Sequence, residues 1–200
     1  AEKFIAMQLR RPLHGDPQLS DDELRKGFSS VFSDERLVLL DHQGSVSDAS
    51  LLDKIEYMAL MGCKYLVLDH ITIAVSEGSD GLTGNEAVDK VMSDLLKIVK
   101  KHNVWLGLVS HLRKSIGGRS FEEGHLASID DIKGSGSIKQ ISFDIIAFAR
   151  NLVAEQSIER NTIKLRVLKA RFTGNTGDCG TALYDPQTTR LTKGGEFSYY

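Results

Sequence analysis

The sequence predicts an α/β fold, a mostly parallel sheet with helices on both faces and an antiparallel edge. Short, continuously apolar segments such as Lys64-Tyr65-Leu66-Val67-Leu68-Asp69 and Val104-Trp105-Leu106-Gly107-Leu108-Val109 have the length and composition of parallel strands covered on both sides. Between them Val88, Val91, Met92, Leu95, Leu96 and Val99 recur at helical spacing. Later strand-like runs follow one another across turn residues rather than helices, which is the order of a β meander.

Taken in order, residues 1 to 11 gather Phe4, Ile5, Met7 and Leu9 ahead of Pro12, so they read as the tail of a helix that the proline stops. Ser20-Asp21-Asp22-Glu23 is a capping box with acids at the positive end of the helix dipole, and the short helix it opens is expected to end near Gly27. Residues 36 to 41 form an apolar run of strand length. Ser47-Asp48 opens a helix with Leu51, Leu52, Ile55, Met58 and Ala59 on one face, closed by Gly62. Residues 76 to 85 are a polar surface loop, and residues 113 to 136 are rich in Gly, Ser and charge with little periodicity. Such a long irregular segment inside a compact domain is usually functional. Residues 141 to 148, 162 to 169 and 181 to 184 read as strands, the last two separated by the turn Thr173-Gly174-Asn175-Thr176-Gly177. No internal repeat is present.

With 200 residues there is room for one α/β domain. An apolar share of 41% against 26% charged residues excludes a disordered chain. The formal net charge of -2 announces no polyanionic partner, so any contact with nucleic acid must be local. Cys63 and Cys179 stand far apart without a CxxC pair, which argues against a zinc site or a disulfide framework and fits a reducing cytoplasm. No run approaches the roughly 20 apolar residues of a membrane span. The polar start Ala1-Glu2-Lys3-Phe4 is unlike a secretion signal, and the missing initiator Met suggests a processed or excised piece, although an initiator removed ahead of Ala1 would look the same.

Asp69 ends a predicted strand, where open α/β sheets hold their ligands and where phosphoryl-transfer ATPases keep an Asp that binds Mg²⁺ through its water shell. The plainer reading is an Asp that ends a strand and caps the next loop, and His70 beside it reads as structural. His111, after Val109-Ser110, places an imidazole at the same edge if the two strands are neighbours; there it could sense a γ-phosphate, or simply be a satisfied polar residue. Gly117-Gly118-Arg119 and Lys133-Gly134-Ser135-Gly136-Ser137-Ile138-Lys139 combine backbone freedom with cations, which suits phosphate contacts as well as a solvated loop. Glu122 and Glu123 argue against the whole loop touching DNA. Lys169-Ala170-Arg171 sets two cations on one side of a strand end. They fit a phosphate clamp acting across a subunit boundary, or an edge strand shielded from aggregation by charge.

Together these segments resemble the hexameric DnaB-type replicative helicases, and within them the helicase half of the primase-helicases of short-tailed phages. The resemblance rests on Tyr65-Leu66-Val67-Leu68-Asp69-His70-Ile71, Val109-Ser110-His111-Leu112, Glu122-Glu123-Gly124, Ile132 through the run Lys133-Gly134-Ser135-Gly136-Ser137-Ile138-Lys139-Gln140, Ala149-Arg150-Asn151, and Leu168-Lys169-Ala170-Arg171-Phe172-Thr173-Gly174-Asn175-Thr176-Gly177. They occur in the family's order, and the match runs to about residue 190, leaving a tail.

What the resemblance implies is a RecA-like three-layer core lacking its P-loop strand, part of an ATP-dependent helicase that moves 5′-to-3′ on single-stranded DNA. The implied assembly is a hexameric ring of identical subunits with hydrolysis at their interfaces. Mg²⁺, ATP or dTTP as substrate, a linked or associated primase, the replicative polymerase and the bacterial host cytoplasm belong to the same picture. Asp69 resembles the Walker B aspartate, His111 the γ-phosphate sensor, and Arg171 the arginine finger supported by Lys169. Arg150 and Tyr184 resemble the pair that sandwiches the adenine. Arg113, Lys114, Arg119, Lys133, Gly134, Ser135, Gly136 and Lys139 match the central-channel loops that hold the DNA backbone.

The chain departs from the family in two respects. No G-x-x-x-x-G-K-[ST] occurs in it, and the family's catalytic glutamate lies upstream of the residue matching Ala1, while Glu2 falls on the following helix. The chain by itself is therefore expected not to hydrolyse ATP, being a fragment of a longer helicase or a split product that assembles with a partner carrying the loop. A sheet without its P-loop strand is expected to leave an apolar edge or face open, giving poor solubility or self-association. A non-catalytic nucleic-acid-binding or ring-forming scaffold and a RecA-type recombinase are the rival classes. Residues 169 to 177 favour the helicase.

Overall fold

The computed structural model describes residues 1–13, 19–34, 36–40, 49–71, 84–113, 120–133 and 136–194. Along the chain these form α1 (Glu2–Leu9), α2 (Asp21–Phe32), α3 (Ala49–Leu60), β1 (Tyr65–Leu68), α4 (Gly84–His102) and β2 (Trp105–Leu108). A 3₁₀ turn at Ile129–Asp131 precedes α5 (Gly136–Ile141), β3 (Asp144–Arg150), α6 (Ser157–Asn161), β4 (Thr162–Ala170), β5 (Gly177–Asp185) and β6 (Arg190–Lys193).

β1 and β2 pair in parallel, with Leu66 opposite Leu106 and Leu68 opposite Leu108. Alternation along the strands sends these leucines toward a core shared with Leu51 and Ile55 of α3 and Val88, Val91, Met92 and Leu95 of α4. Burying side chains of this size contributes roughly 1.5–3 kcal/mol each. α3 ends where the spacing predicted, with Gly62 at φ 101 and the Cys63 amide closing on the Met58 carbonyl. The end of α4 is clasped to α3: Lys101 Nζ and His102 Nε2 both lie 2.7 Å from Glu56 Oε1. These bonds, Lys101 first and His102 second, hold the Glu56 carboxyl below its ordinary value.

The second sheet is antiparallel, in the order β3-β4-β5-β6. Its register sets Arg150 against Ile163, Thr162 against Leu183 and Asp185 against Arg190. The α/β class expected from the sequence is present, but in place of one mostly parallel sheet with an antiparallel edge the described strands form a parallel pair and a separate, larger antiparallel sheet.

Several local expectations are corrected. Residues 141 to 148 are not one strand: Ile141 closes α5, and β3 starts at Asp144. Ile138 and Ile141 meet the core at helical spacing, and that burial decides the segment. Residues 36 to 40 belong to no strand and leave Val38, Leu39 and Leu40 exposed, since an apolar run becomes a strand only beside a partner; Asp41 lies outside the described residues. α2 does not end near Gly27 but runs on to Phe32. Gly27 serves packing instead, for a Cβ there would sit 2.9 Å from Ile5 Cγ2 and from Leu9 Cγ on α1. The capping box at Ser20 and Glu23 forms as predicted. β5 already begins at Gly177, four residues ahead of the predicted Thr181. Ser47, Asp48 and most of the loop at 76 to 85 lie outside the described residues.

β1 and β2 are also not covered on both faces. Tyr65, Val67 and Trp105 are 81%, 71% and 57% exposed on the side away from the core. The Trp105 indole folds back along this face over Gly107, where a Cβ would come within 2.5 Å of the ring.

Candidate nucleotide and nucleic-acid interface

Parallel pairing decides where the first two site residues lie. The Val109 amide donates to the Leu68 carbonyl at 3.0 Å and the Ile71 amide to the Val109 carbonyl at 2.9 Å, so the ends of β1 and β2 stay in register. Asp69 and His111 therefore stand at the same margin of the sheet, both exposed. The ring of His70 lies edge-on to that of His111 with centroids 4.0 Å apart, so His70 has a direct contact with its neighbour. The Asp69–His70 peptide is cis.

Past His111 the chain is laced to the loop that precedes α5. The Lys133 amide donates to the His111 carbonyl at 2.9 Å, the Arg113 amide to the Asp131 carbonyl at 2.7 Å, and Leu112 bridges Ile132 between them. Arg113 and Lys133 are exposed at this pairing, and buried Ile132 anchors it in the core. Ser128 and Asp131 close a second capping box, and the Ser128 amide, followed by its hydroxyl, keeps the Asp131 carboxyl below the usual carboxylate range. Gly136 opens α5, and Lys139 on that helix holds Asp130 at 2.7 Å. Lys114, Arg119, Gly134 and Ser135 lie outside the described residues. The backbone of Glu122 and Glu123 is engaged elsewhere, since the Leu152 amide donates to the Glu122 carbonyl at 2.7 Å and Glu123 bridges Asn151 after β3.

Lys169 of β4 and Arg171, one residue past its end, do turn to the same side, and both reach the last carbonyls of α5. Lys169 Nζ donates to the carbonyls of Lys139 and Gln140, and Arg171 Nη2 donates to that of Gln140 at 2.5 Å. A helix end leaves such carbonyls without intrahelical donors, and the two cations satisfy them. Burial, then the nearby Arg171 charge, lowers the Lys169 pKa, with Asp144 opposing. The Arg171 guanidinium lies 4.9 Å above the Phe143 ring, which stacks in turn on Phe172 with centroids 5.6 Å apart. Nothing in the sequence pointed to Phe143. Its place follows from the register that sets Asp144 opposite Ala170.

Arg150 and Tyr184 are also brought together, with the guanidinium carbon 5.0 Å from the centre of the ring. The guanidinium is held from behind, Nε donating to the Arg160 carbonyl at 2.6 Å and Nη2 to Asn161 Oδ1 at 2.5 Å. A base between the two groups needs two stacking distances, about 7 Å. In this conformation the pair is closed.

No protein-family model matches the chain. Over 169 residues it is 36% identical to the DNA helicase/primase of Enterobacteria phage T3, a match that covers 84% of this chain and 29% of that protein. A DnaB-like replicative helicase, solved in a study of its interactions with primase, superposes with a TM-score of 0.74 at 14% identity, over 95% of this chain and 47% of its own. The chain is thus similar in sequence to part of a phage DNA helicase/primase and in fold to a DnaB-like helicase. A second solved structure, an isolated ATPase domain, also superposes with a TM-score of 0.74 at 14% identity, over 96% of this chain and 68% of its own. At that identity the two solved structures establish the RecA-like fold, while the phage relative carries the sequence kinship. The chain spans under a third of the length of that curated relative. Among its described residues no helix is long and apolar enough to cross a membrane, and no cluster of three or more His, Cys, Asp or Glu could hold a metal by itself.

Proposed function

We propose that this chain forms part of the core of an ATP-dependent replicative helicase that moves 5′-to-3′ on single-stranded DNA as a hexameric ring, hydrolysing ATP or dTTP between subunits. The observation that carries the reading is the hydrogen bond from the Lys133 amide to the His111 carbonyl. It joins a candidate phosphate sensor at the sheet margin to a candidate DNA-holding segment without an intervening residue. A shift of His111 toward or away from a γ-phosphate then moves Lys133 with it.

Asp69 suits Mg²⁺, which binds through one or two carboxylates together with substrate phosphates and retained waters, so the lack of a multi-ligand cluster among the described residues is no obstacle. When bound there, the ion supplies charge neutralisation at the β- and γ-phosphates. Arg171, with Lys169 beside it, contributes a fixed cation to a neighbouring subunit's nucleotide. Lys133, Lys139 and Arg113, with Lys114, Arg119, Gly134, Ser135 and Gly136, hold the DNA backbone, and such phosphate contacts make binding insensitive to sequence and weaker as salt rises. A primase and the replicative polymerase are the expected partners in the host cytoplasm.

Since the chain contains no G-x-x-x-x-G-K-[ST], another segment or another chain must supply the phosphate-binding loop, and these residues alone do not hydrolyse ATP. The test is DNA-stimulated hydrolysis by the full-length ring. His111→Ala should bind nucleotide as before and lose its stimulation by single-stranded DNA. Stimulation that survives unchanged would refute the sensor assignment.

A further inference from the structure

The Arg150–Tyr184 pair holds a detail that a two-sided sandwich does not require. A guanidinium is planar, and two in-plane hydrogen bonds along one of its edges determine the orientation of that plane. Arg150 makes two such bonds, from Nε to the Arg160 carbonyl at 2.6 Å and from Nη2 to Asn161 Oδ1 at 2.5 Å. These bonds use an edge and leave the faces open, and the guanidinium carbon lies 5.0 Å from the centre of the Tyr184 ring. Both acceptors sit on the last two residues of α6, and that helix is itself tied down. Asn151 Nδ2 donates to Glu159 Oε1 at 2.8 Å, and Thr162 Oγ1 donates to the Ile158 carbonyl at 2.8 Å.

Resting on the base-sandwich reading above, we infer that Asn161 is a positioning residue of the nucleobase site: its carboxamide oxygen sets the plane in which Arg150 stacks on the base. The side chain touches the guanidinium and not the base, so it acts on affinity through Arg150. Of the two acceptors it is the one a substitution can remove, because the other is a backbone carbonyl. The base enters by parting Arg150 from Tyr184. A guanidinium still hinged on α6 can return to a parallel stack, whereas one without its Asn161 bond can rotate out of plane.

The experiment uses full-length rings carrying Asn161→Leu, Asn161→Ala and Asn161→Asp. ATP hydrolysis is measured together with inhibition by ribose 5′-triphosphate, which has the phosphates and sugar but no base. Loss of a hydrogen bond to a charged group should raise the KM for ATP roughly tenfold in the Leu and Ala variants, with kcat little changed. Inhibition by ribose 5′-triphosphate should stay as in the parent, and Asn161→Asp, which keeps the acceptor oxygen, should restore the KM. The inference is overturned if both ligands weaken equally, which is the mark of a merely structural role, or if Asp does no better than Leu. Arg150→Ala and Tyr184→Ala separate the two levels. If neither weakens ATP more than ribose 5′-triphosphate, the base site itself is misplaced and the inference falls with it. If they do and the Asn161 variants are silent, only the positioning role is lost. Should Asn161→Leu fail to assemble, the smaller Ala variant carries the same comparison.

Discussion

Lys169 and Arg171 donate to the carboxyl end of α5, so their charges are already engaged before any phosphate approaches. An arginine finger that starts from such a contact exchanges a neutral carbonyl acceptor for an anionic phosphate, whose oxygens can take both arms of the guanidinium. In full-length rings Arg171→Ala should therefore leave nucleotide binding nearly intact and lower kcat by about 10³-fold or more, the effect of removing such a finger. Rings mixed from parent and Arg171→Ala subunits give the decisive measurement. A finger acting in trans lets one altered subunit silence its neighbour's site, and a loss confined to the altered subunits' own sites would rule that out. Arg171→Lys should not rescue, because an ammonium offers neither the planar fork nor the stacking on Phe143.

At the scale of elements, the clasp of Glu56 on Lys101 and His102 joins α3 to α4. The folded state holds the Glu56 carboxyl below its ordinary 4.5. The stability it contributes is thus present above that value and is lost as pH falls through the lower folded value. Glu56→Gln should be less stable than the parent near neutral pH and converge with it in acid. Urea midpoints at about pH 7 and about pH 3 compare the two conditions, and an equal gap at both would show that the clasp contributes nothing through its charge. The elements differ in how well their sequence announces them. α4 was legible because an apolar stripe repeated over several turns has no other solution than an amphipathic helix. α5 and α6 were not, since helices of six and five residues are too short for periodicity to stand out and are formed by what they pack against or hold. Gly27 misled for a related reason: a glycine that stops a helix and one that admits a neighbouring helix look alike until that neighbour is in place.

For the molecule as a whole, the open face of β1 and β2 is the feature with the largest consequence. Tyr65, Val67 and Trp105 present contiguous apolar surface, and Ile146 and Phe148 of β3 add exposed apolar positions on the second sheet. The 200-residue chain should self-associate through such surface. Sedimentation at rising concentration should show oligomers that Tyr65→Lys with Val67→Lys reduces while circular dichroism stays unchanged. A monomer at all concentrations would show that the face is tolerated by water, and undiminished association in the double variant would place the contact elsewhere.

By itself the sequence determined the class of fold, the strands that run up to Asp69 and end shortly before His111, and the resemblance to a helicase family, because apolar period and motif order are local properties of a chain. The pairing of Lys169 with Arg171 on one side of a strand end was legible for the same reason. Only the tertiary structure decided that β1 and β2 are neighbours, that Lys133 is bonded to His111, and that α5 receives both cations. It alone brought Phe143 under Arg171 and Asn161 behind Arg150. Those contacts join residues 11 to 31 positions apart, or strands separated by a whole helix, and their partners are chosen by burial and strand register rather than by spacing along the chain.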